Sequence, residues 1–164
     1  MRLRTRIWYR MAVGVVLVAA LLTTAACAKR EEDAGSFAAL TPDVPVLKEY
    51  RGAQVYLLRQ EDEDVVVLWG MSPLSGGEQG KVRCFIQDRT DRPFRGETRP
   101  FIDPCNGAWW ARDGSFLGYT DDPESAPSPG PALVRIPAEV RDGRIILDDA
   151  YLQCLQSRRD VCEQ

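Results

Sequence analysis

The residues of this chain that could do chemistry converge on the run Asp103-Pro104-Cys105-Asn106-Gly107-Ala108-Trp109-Trp110, where a carboxylate, a thiol and a carboxamide share one turn-forming stretch. Asp103 is a candidate metal ligand, but it has no second ligand at a defined spacing, so a carboxylate capping the loop amides is the expectation. Glu61-Glu63 and Asp62-Asp64 supply four clustered carboxylates without the spacing of a calcium loop, and they read as a solvated hairpin tip. No histidine occurs anywhere, which removes the usual general base, the Ser-His-Asp triad and the commonest zinc ligand. Nothing in the spacing of Asp103 and Asp113 recommends carboxylate hydrolysis. None of the cysteine spacings matches a ferredoxin run, so no all-cysteine cluster is expected.

The run resembles the second ligand motif of Rieske proteins, which reads Cys-Pro-Cys-His-Gly-Ser followed by an aromatic. Asp103 stands at a cysteine ligand position of that motif, Cys105 at its disulfide cysteine and Asn106 at a histidine ligand position. The first motif, Cys-x-His-Leu-Gly-Cys, follows a strand; here the run Val65–Gly70 leads into Met71-Ser72-Pro73-Leu74-Ser75, placing Ser72 and Leu74 at ligand positions. The last cysteine of that motif corresponds to Cys84, displaced by the polar insertion Gly76–Lys81. Further similarity runs through the Asp113-Gly114 turn, a proline loop at 123–131, a basal strand near Val134-Arg135-Ile136 and the hairpin Val140–Leu147. It covers about residues 46 to 148.

The resemblance implies an all-β fold, a Rieske-like antiparallel β-sandwich with an inserted ligand-loop subdomain and a short C-terminal helix. A Rieske centre takes two histidines on one iron and two cysteines on the other. With Ser72, Leu74, Asp103 and Asn106 at those positions, no cofactor is expected, although the family cofactor is 2Fe–2S. The resemblance also pairs Cys84 with Cys105 as a disulfide. That leaves Cys154 with Cys162, which a continuous helix would hold about 12 Å apart, so the helix must break near Ser157–Asp160. Neither Cys84 nor Cys105 lies in a Cys-x-x-Cys motif at a helix start, so a structural staple is favoured over a redox pair.

The chain begins with Arg2, Arg4, Arg6 and Arg10, continues through sixteen uncharged residues from Met11 to Ala26, and reaches Ala25-Ala26-Cys27. This is a signal-peptide pattern that resembles a bacterial lipobox, with Cys27 as the lipidated residue; an uncleaved anchor helix is the other reading. Either way the positive-inside rule places the remainder on the extracytoplasmic side of the cell membrane. Without residues 1–26 the 21 basic side chains lose four arginines and the 24 acidic ones lose none, a formal charge of −7. So acidic a surface argues against nucleic acid as a partner. With Cys27 set aside, four cysteines remain, an even number suited to an oxidising compartment.

The elements that must position the ligand-like loop divide the chain into a signal or anchor at 1–27, a flexible tether at 28–45, the β domain at 46–148 and a helical tail at 149–164. Lys29–Asp33 is charged and Pro42 and Pro45 oppose regular structure, hence the tether. Gln54–Gln60 and Val65–Gly70 form a hairpin, Val82–Gln87 a strand, Arg89–Pro100 a polar loop, and Asp113-Gly114 and Asp142-Gly143 hairpin turns. Asp148 caps a helix. Trp109 and Trp110 are adjacent on a strand, so one ring points inward and the other outward, and the outward ring is a candidate partner contact or packs beneath the proline loop.

Together these features point to a cluster-less domain at the extracytoplasmic face, an accessory or interaction protein of a membrane complex. Members of the resembled family dock onto cytochrome bc-type respiratory complexes. The alternative is a Rieske 2Fe–2S electron-transfer protein of such a chain.

Overall fold

The computed structural model describes residues 31–60, 64–74, 83–120, 129–157 and 162. The signal or anchor segment and Cys27, most of the acidic turn, the 76–81 insertion and most of the proline loop lie outside these residues. Among the described residues no helix is long and apolar enough to cross a membrane.

Among the described residues, ten strands make three antiparallel sheets. β1 (Glu31–Ser36), β10 (Arg144–Asp148) and β9 (Ala138–Arg141) pair in that order; β2 (Val46–Tyr50), β3 (Ala53–Arg59) and β4 (Val65–Trp69) form the second sheet. The third, β5 (Gln87–Asp88), β6 (Phe101–Asp103), β7 (Ala108–Trp110) and β8 (Phe116–Tyr119), is inserted in sequence between β4 and β9. The helix α1 (Asp149–Ser157) follows. This is the antiparallel sandwich with an inserted loop-bearing subdomain and a short C-terminal helix that the sequence predicts.

The uninterrupted apolar run of β4 explains the layering, because a strand buried on both faces has no polar side to show. Alternate residues of the second sheet enter two cores. Val55, Leu57 and Val67 join Ile145, Leu147 and the helix residues Leu152 and Leu155. Tyr56, Leu58, Val66 and Leu68 face the other way and join Ile86, Phe101, Trp110 and Leu133 beneath the third sheet.

Turns follow the residues that tolerate positive φ. Arg51-Gly52 and Asp142-Gly143 both carry two consecutive positive φ values, the signature of two-residue hairpins, joining β2 to β3 and β9 to β10. The Asp148 carboxylate accepts the Tyr151 N–H at 3.0 Å and caps α1. α1 runs over Asp149–Ser157, and Cys154 and Cys162 are bonded with Cα atoms 5.9 Å apart.

Three expectations about elements need correction. Residues 31–36 are not tether: they form β1 on the β10 edge, with Ala34 in the core, so the folded domain includes Glu31–Ser36. The charges that suggested a solvated linker meet opposite charges instead, Glu31 with Arg141 and Asp33 with Arg144 at 2.7–3.0 Å. The strand at Val82–Gln87 shortens to β5; Cys84 and Ile86 run alongside Gly70–Ser72 without joining a named strand. The basal strand at 134–136 is likewise a single bridge, covering the open edge of β4 through Trp69 N–H to Val134 O and Ile136 N–H to Val67 O.

The β7–β8 turn carries a pH dependence. The Asp113 carboxyl accepts the Ser115 N–H and hydroxyl at 2.8 and 2.6 Å. Burial pushes its pKa up, but the Ser115 bonds and the nearby Arg135 charge outweigh burial and hold it below the ordinary value. A depressed folded-state pKa contributes stability above the unfolded-state pKa, and this is lost as pH falls through the folded value. Asp113→Ala is therefore expected to destabilise the chain at pH 7, with a gap to wild type that narrows below about pH 4. Denaturant midpoints across that range check it; a gap constant with pH would remove the carboxylate from the account.

Candidate functional site

Two loops meet at the edge of the second core. The first is held where the Ser72 N–H donates to Cys84 O and the Ile86 N–H to Gly70 O, each at 2.9 Å. The second is the turn between β6 and β7, in which Asp103 and Ala108 face each other and the Gly107 N–H donates to Asp103 O at 2.9 Å. Gly107 sits at φ 72°, a conformation glycine adopts freely. A disulfide between Cys84 and Cys105 ties the loops together, with Cα atoms 6.2 Å apart.

Asp103 organises the turn. Its side chain is completely buried; one carboxylate oxygen accepts the Cys105 N–H and the other the Asn106 amide N–H, both at 2.8 Å. Asn106 in turn accepts the Ala108 N–H at 3.0 Å. This closed ring of short-range bonds is how Asp and Asn fix turns. Asp103→Ala strands the Cys105 N–H and the Asn106 amide, and is expected to cost about 2 kcal/mol. Urea denaturation of the oxidised chain measures it, and an unchanged midpoint would show that the turn holds without the carboxylate.

The same geometry tests whether a 2Fe–2S centre fits. Leu74 offers no lone pair and packs against the second core. The Asn106 amide oxygen already accepts from Ala108, and the Ser72 hydroxyl accepts the Leu74 N–H at 3.2 Å. These two places take histidine and cysteine in a Rieske centre. The donor set does not fit the cluster, and the four residues brace the loops that a cluster would otherwise bridge.

Neither tryptophan faces solvent, which corrects the expected inward and outward pair. Trp109 and Trp110 are both 0 % exposed. The register shifts between them, and each side of β7 is covered. Trp110 lies in the second core, its indole N–H donating to Pro131 O at 2.9 Å, with Phe116 edge-on at 5.8 Å. Trp109 stacks on Phe94 with ring centroids 4.8 Å apart and donates to the Thr120 hydroxyl at 2.7 Å. The 89–100 loop, read from sequence as polar, thus lays an aromatic lid on the sheet. Phe94 among arginines was the available signal.

Sequence reasoning also passes over Arg112, which donates to Asp43 O at 2.7 Å and pairs with Glu97 at 3.2 Å, tying the β7–β8 turn to two distant loops. A separate cleft of about 240 Å³ between Arg51, Trp69, Met71, Arg83 and Phe85 has no carboxylate, serine or cysteine in its described lining. It therefore lacks the paired carboxylates of a hydrolase.

No protein-family model and no curated protein matches the sequence. Solved structures do. A quaternary ammonium Rieske monooxygenase in complex with L-carnitine superposes at TM-score 0.51 and 14 % identity over 74 % of this chain and 32 % of the monooxygenase. This chain thus spans about a third of that enzyme's length. The cyanobacterial plasma membrane Rieske protein from Synechocystis PCC 6803 aligns at TM-score 0.45 and 17 % identity, over 71 % of this chain and 97 % of that protein. A protein assigned as an NADH-dependent nitrite reductase small subunit from Mycobacterium tuberculosis aligns at TM-score 0.41 and 27 % identity, over 73 % and 95 %. With three antiparallel sheets, a four-stranded insertion and a disulfide joining the two loops at its tip, the chain has the fold of a Rieske domain.

Proposed function

We propose that this chain is a cluster-less Rieske-like domain, held at the extracytoplasmic face of the cell membrane and acting as an accessory or interaction protein of a membrane complex. The observation that carries the reading is the combination at the tip: the disulfide brace is kept while Ser72, Leu74, Asp103 and Asn106 serve as loop struts. Anchoring rests on the N-terminal pattern, through lipid on Cys27 or an uncleaved helix. With Trp109 and Trp110 buried, the contact surface passes to the exposed residues Pro104, Cys105 and Asn106. No nucleic acid is involved, given the acidic balance of the exported part.

The test begins with the full-length chain purified from membranes in mild detergent. Iron and sulfide far below stoichiometry, with no visible chromophore, is the expected result. Stoichiometric iron with a Rieske-type spectrum would replace this reading with the electron-transfer one. Intact mass then distinguishes acylated Cys27 from a retained leader. A photo-crosslinker at Asn106 should recover a membrane-complex subunit that one at Asp142 does not; identical recoveries would remove the tip from the interface.

A further inference from the structure

We propose that the cleft beside the tip binds a small organic acid, its carboxylate held by Arg83, Arg51 and the Trp69 indole N–H and its compact apolar body lying against Met71 and Phe85. These five residues line one cavity of about 240 Å³, and its described lining holds no carboxylate. With about 30 Å³ for each liquid water, that is room for roughly eight waters, or for an acid of about ten non-hydrogen atoms. The site is independent of how the chain is anchored and of any membrane complex.

Trp69 is the first group that the fold leaves unused. It is 6 % exposed, and a buried indole N–H ordinarily has an acceptor. Trp109 and Trp110 have theirs in Thr120 and Pro131, whereas the Trp69 indole N–H has none among the described residues. Its nitrogen is not sealed in the interior either, so the ring offers a donor at the surface, and the surface it borders is the cleft. Arg83 is the second. Among the described residues it is the one arginine that no hydrogen bond, ion pair or ring contact engages, in a chain where 24 acidic side chains outnumber 21 basic ones. Arg51 has ion-pair partners in Asp149 and Glu32, but at 3.4 and 3.8 Å. Those distances exceed the roughly 2.7–3.2 Å of an N–H···O hydrogen bond, so its donors stay open to a ligand.

The backbone fixes these groups in place. Arg51 stands at φ 50°, a conformation uncommon for arginine, and the Gln156 amide donates to its carbonyl at 3.0 Å. Arg83 and Phe85 flank Cys84 in an extended segment; Cys84 is buried in the disulfide while both neighbours are exposed on the opposite side. Phe85 bridges Met71 across the first loop and is 39 % exposed, one of the large apolar side chains that neither core takes in. Guanidinium groups hold a carboxylate through charge-assisted N–H bonds. Two cations and a neutral donor, facing no acid, set the sign of the ligand. Met71 and Phe85 set its other half, because an inorganic anion would leave them unused. A free acid and the C-terminal residue of a polypeptide share this chemistry.

The experiment follows the indole N–H resonances of the isotope-labelled full-length chain, in a non-ionic detergent, during titration with phenylacetate. The expected result is a saturable shift of the Trp69 resonance, assigned with Trp69→Phe, while those of Trp109 and Trp110 stay still. Phenylacetamide keeps the body without the charge and acetate the charge without the body; each should bind at least about tenfold more weakly. Arg83→Gln should weaken phenylacetate at least about tenfold, with unmoved Trp109 and Trp110 resonances showing that the fold is kept. An acetylated tripeptide ending in a free phenylalanine carboxylate separates the sources: tighter binding than phenylacetate supports a chain terminus, weaker binding a free acid. A Trp69 resonance that does not saturate by about 10 mM overturns the proposal. Equal affinities for phenylacetate and phenylacetamide, or an affinity unmoved by Arg83→Gln, overturn it as well.

Discussion

Trp110→Ala is expected to remove about 3–5 kcal/mol of folding stability, against a typical total of about 5–15 kcal/mol for a domain. The indole is 0 % exposed and packs with Tyr56, Leu58, Leu68, Phe101 and Leu133 between two sheets. Truncation therefore opens a large cavity that rigid strands on both sides cannot fill. It also strands the Pro131 carbonyl, which accepts the indole N–H at 2.9 Å. Guanidinium denaturation reads the loss as a lowered midpoint with unchanged slope. A loss below about 1 kcal/mol would place the ring outside the core and restore it as a surface contact.

What the sequence makes legible is local. The Asp142-Gly143 hairpin, the Asp148 cap and the doubly buried β4 each depend on residues within a few positions, and each stands in the structure as read. So does the turn around Asp103, because an Asx-type bond reaches only two or three residues on. What escaped is long-range. β1 looks like linker until Arg141 and Arg144, more than a hundred residues later, neutralise its acidic side chains. Trp109 looks half-exposed until Phe94 folds over it from a loop whose composition argues against burial. Single-strand alternation predicts which way a side chain points, not what covers the face it points to.

The site divides along the same line. Its residues, Ser72, Leu74, Cys84, Asp103, Cys105 and Asn106, are those the motif resemblance selects. Their work is visible only in three dimensions, where the hydrogen-bond acceptors of Ser72 and Asn106 are already engaged by backbone N–H groups. An empty ligand loop would leave buried polar atoms such as those of Ser72 and Asp103 unsatisfied, which costs free energy. Here the replacements satisfy one another, so the loop keeps its shape without a metal to organise it.

The tip disulfide sets how far that self-sufficiency goes. Cys84 and Cys105 are 21 residues apart, and releasing a loop of that length is expected to cost about 3 kcal/mol in chain entropy. The Cys84→Ala/Cys105→Ala chain should therefore unfold at a clearly lower denaturant midpoint while remaining folded in buffer, because both cores and the Asp103 ring are untouched. The Cys154–Cys162 bridge closes a loop of only eight residues, so its removal should cost less. Circular dichroism of both double variants, with urea titration, checks the order. A tip variant that loses its near-ultraviolet spectrum without denaturant would mean that the loops depend on the covalent bond, and the hydrogen-bond ring around Asp103 would then be its consequence. A variant that stays folded and merely weaker makes the ring the primary structure of the tip, and the bridge a brace that a reductant can open without unfolding the domain.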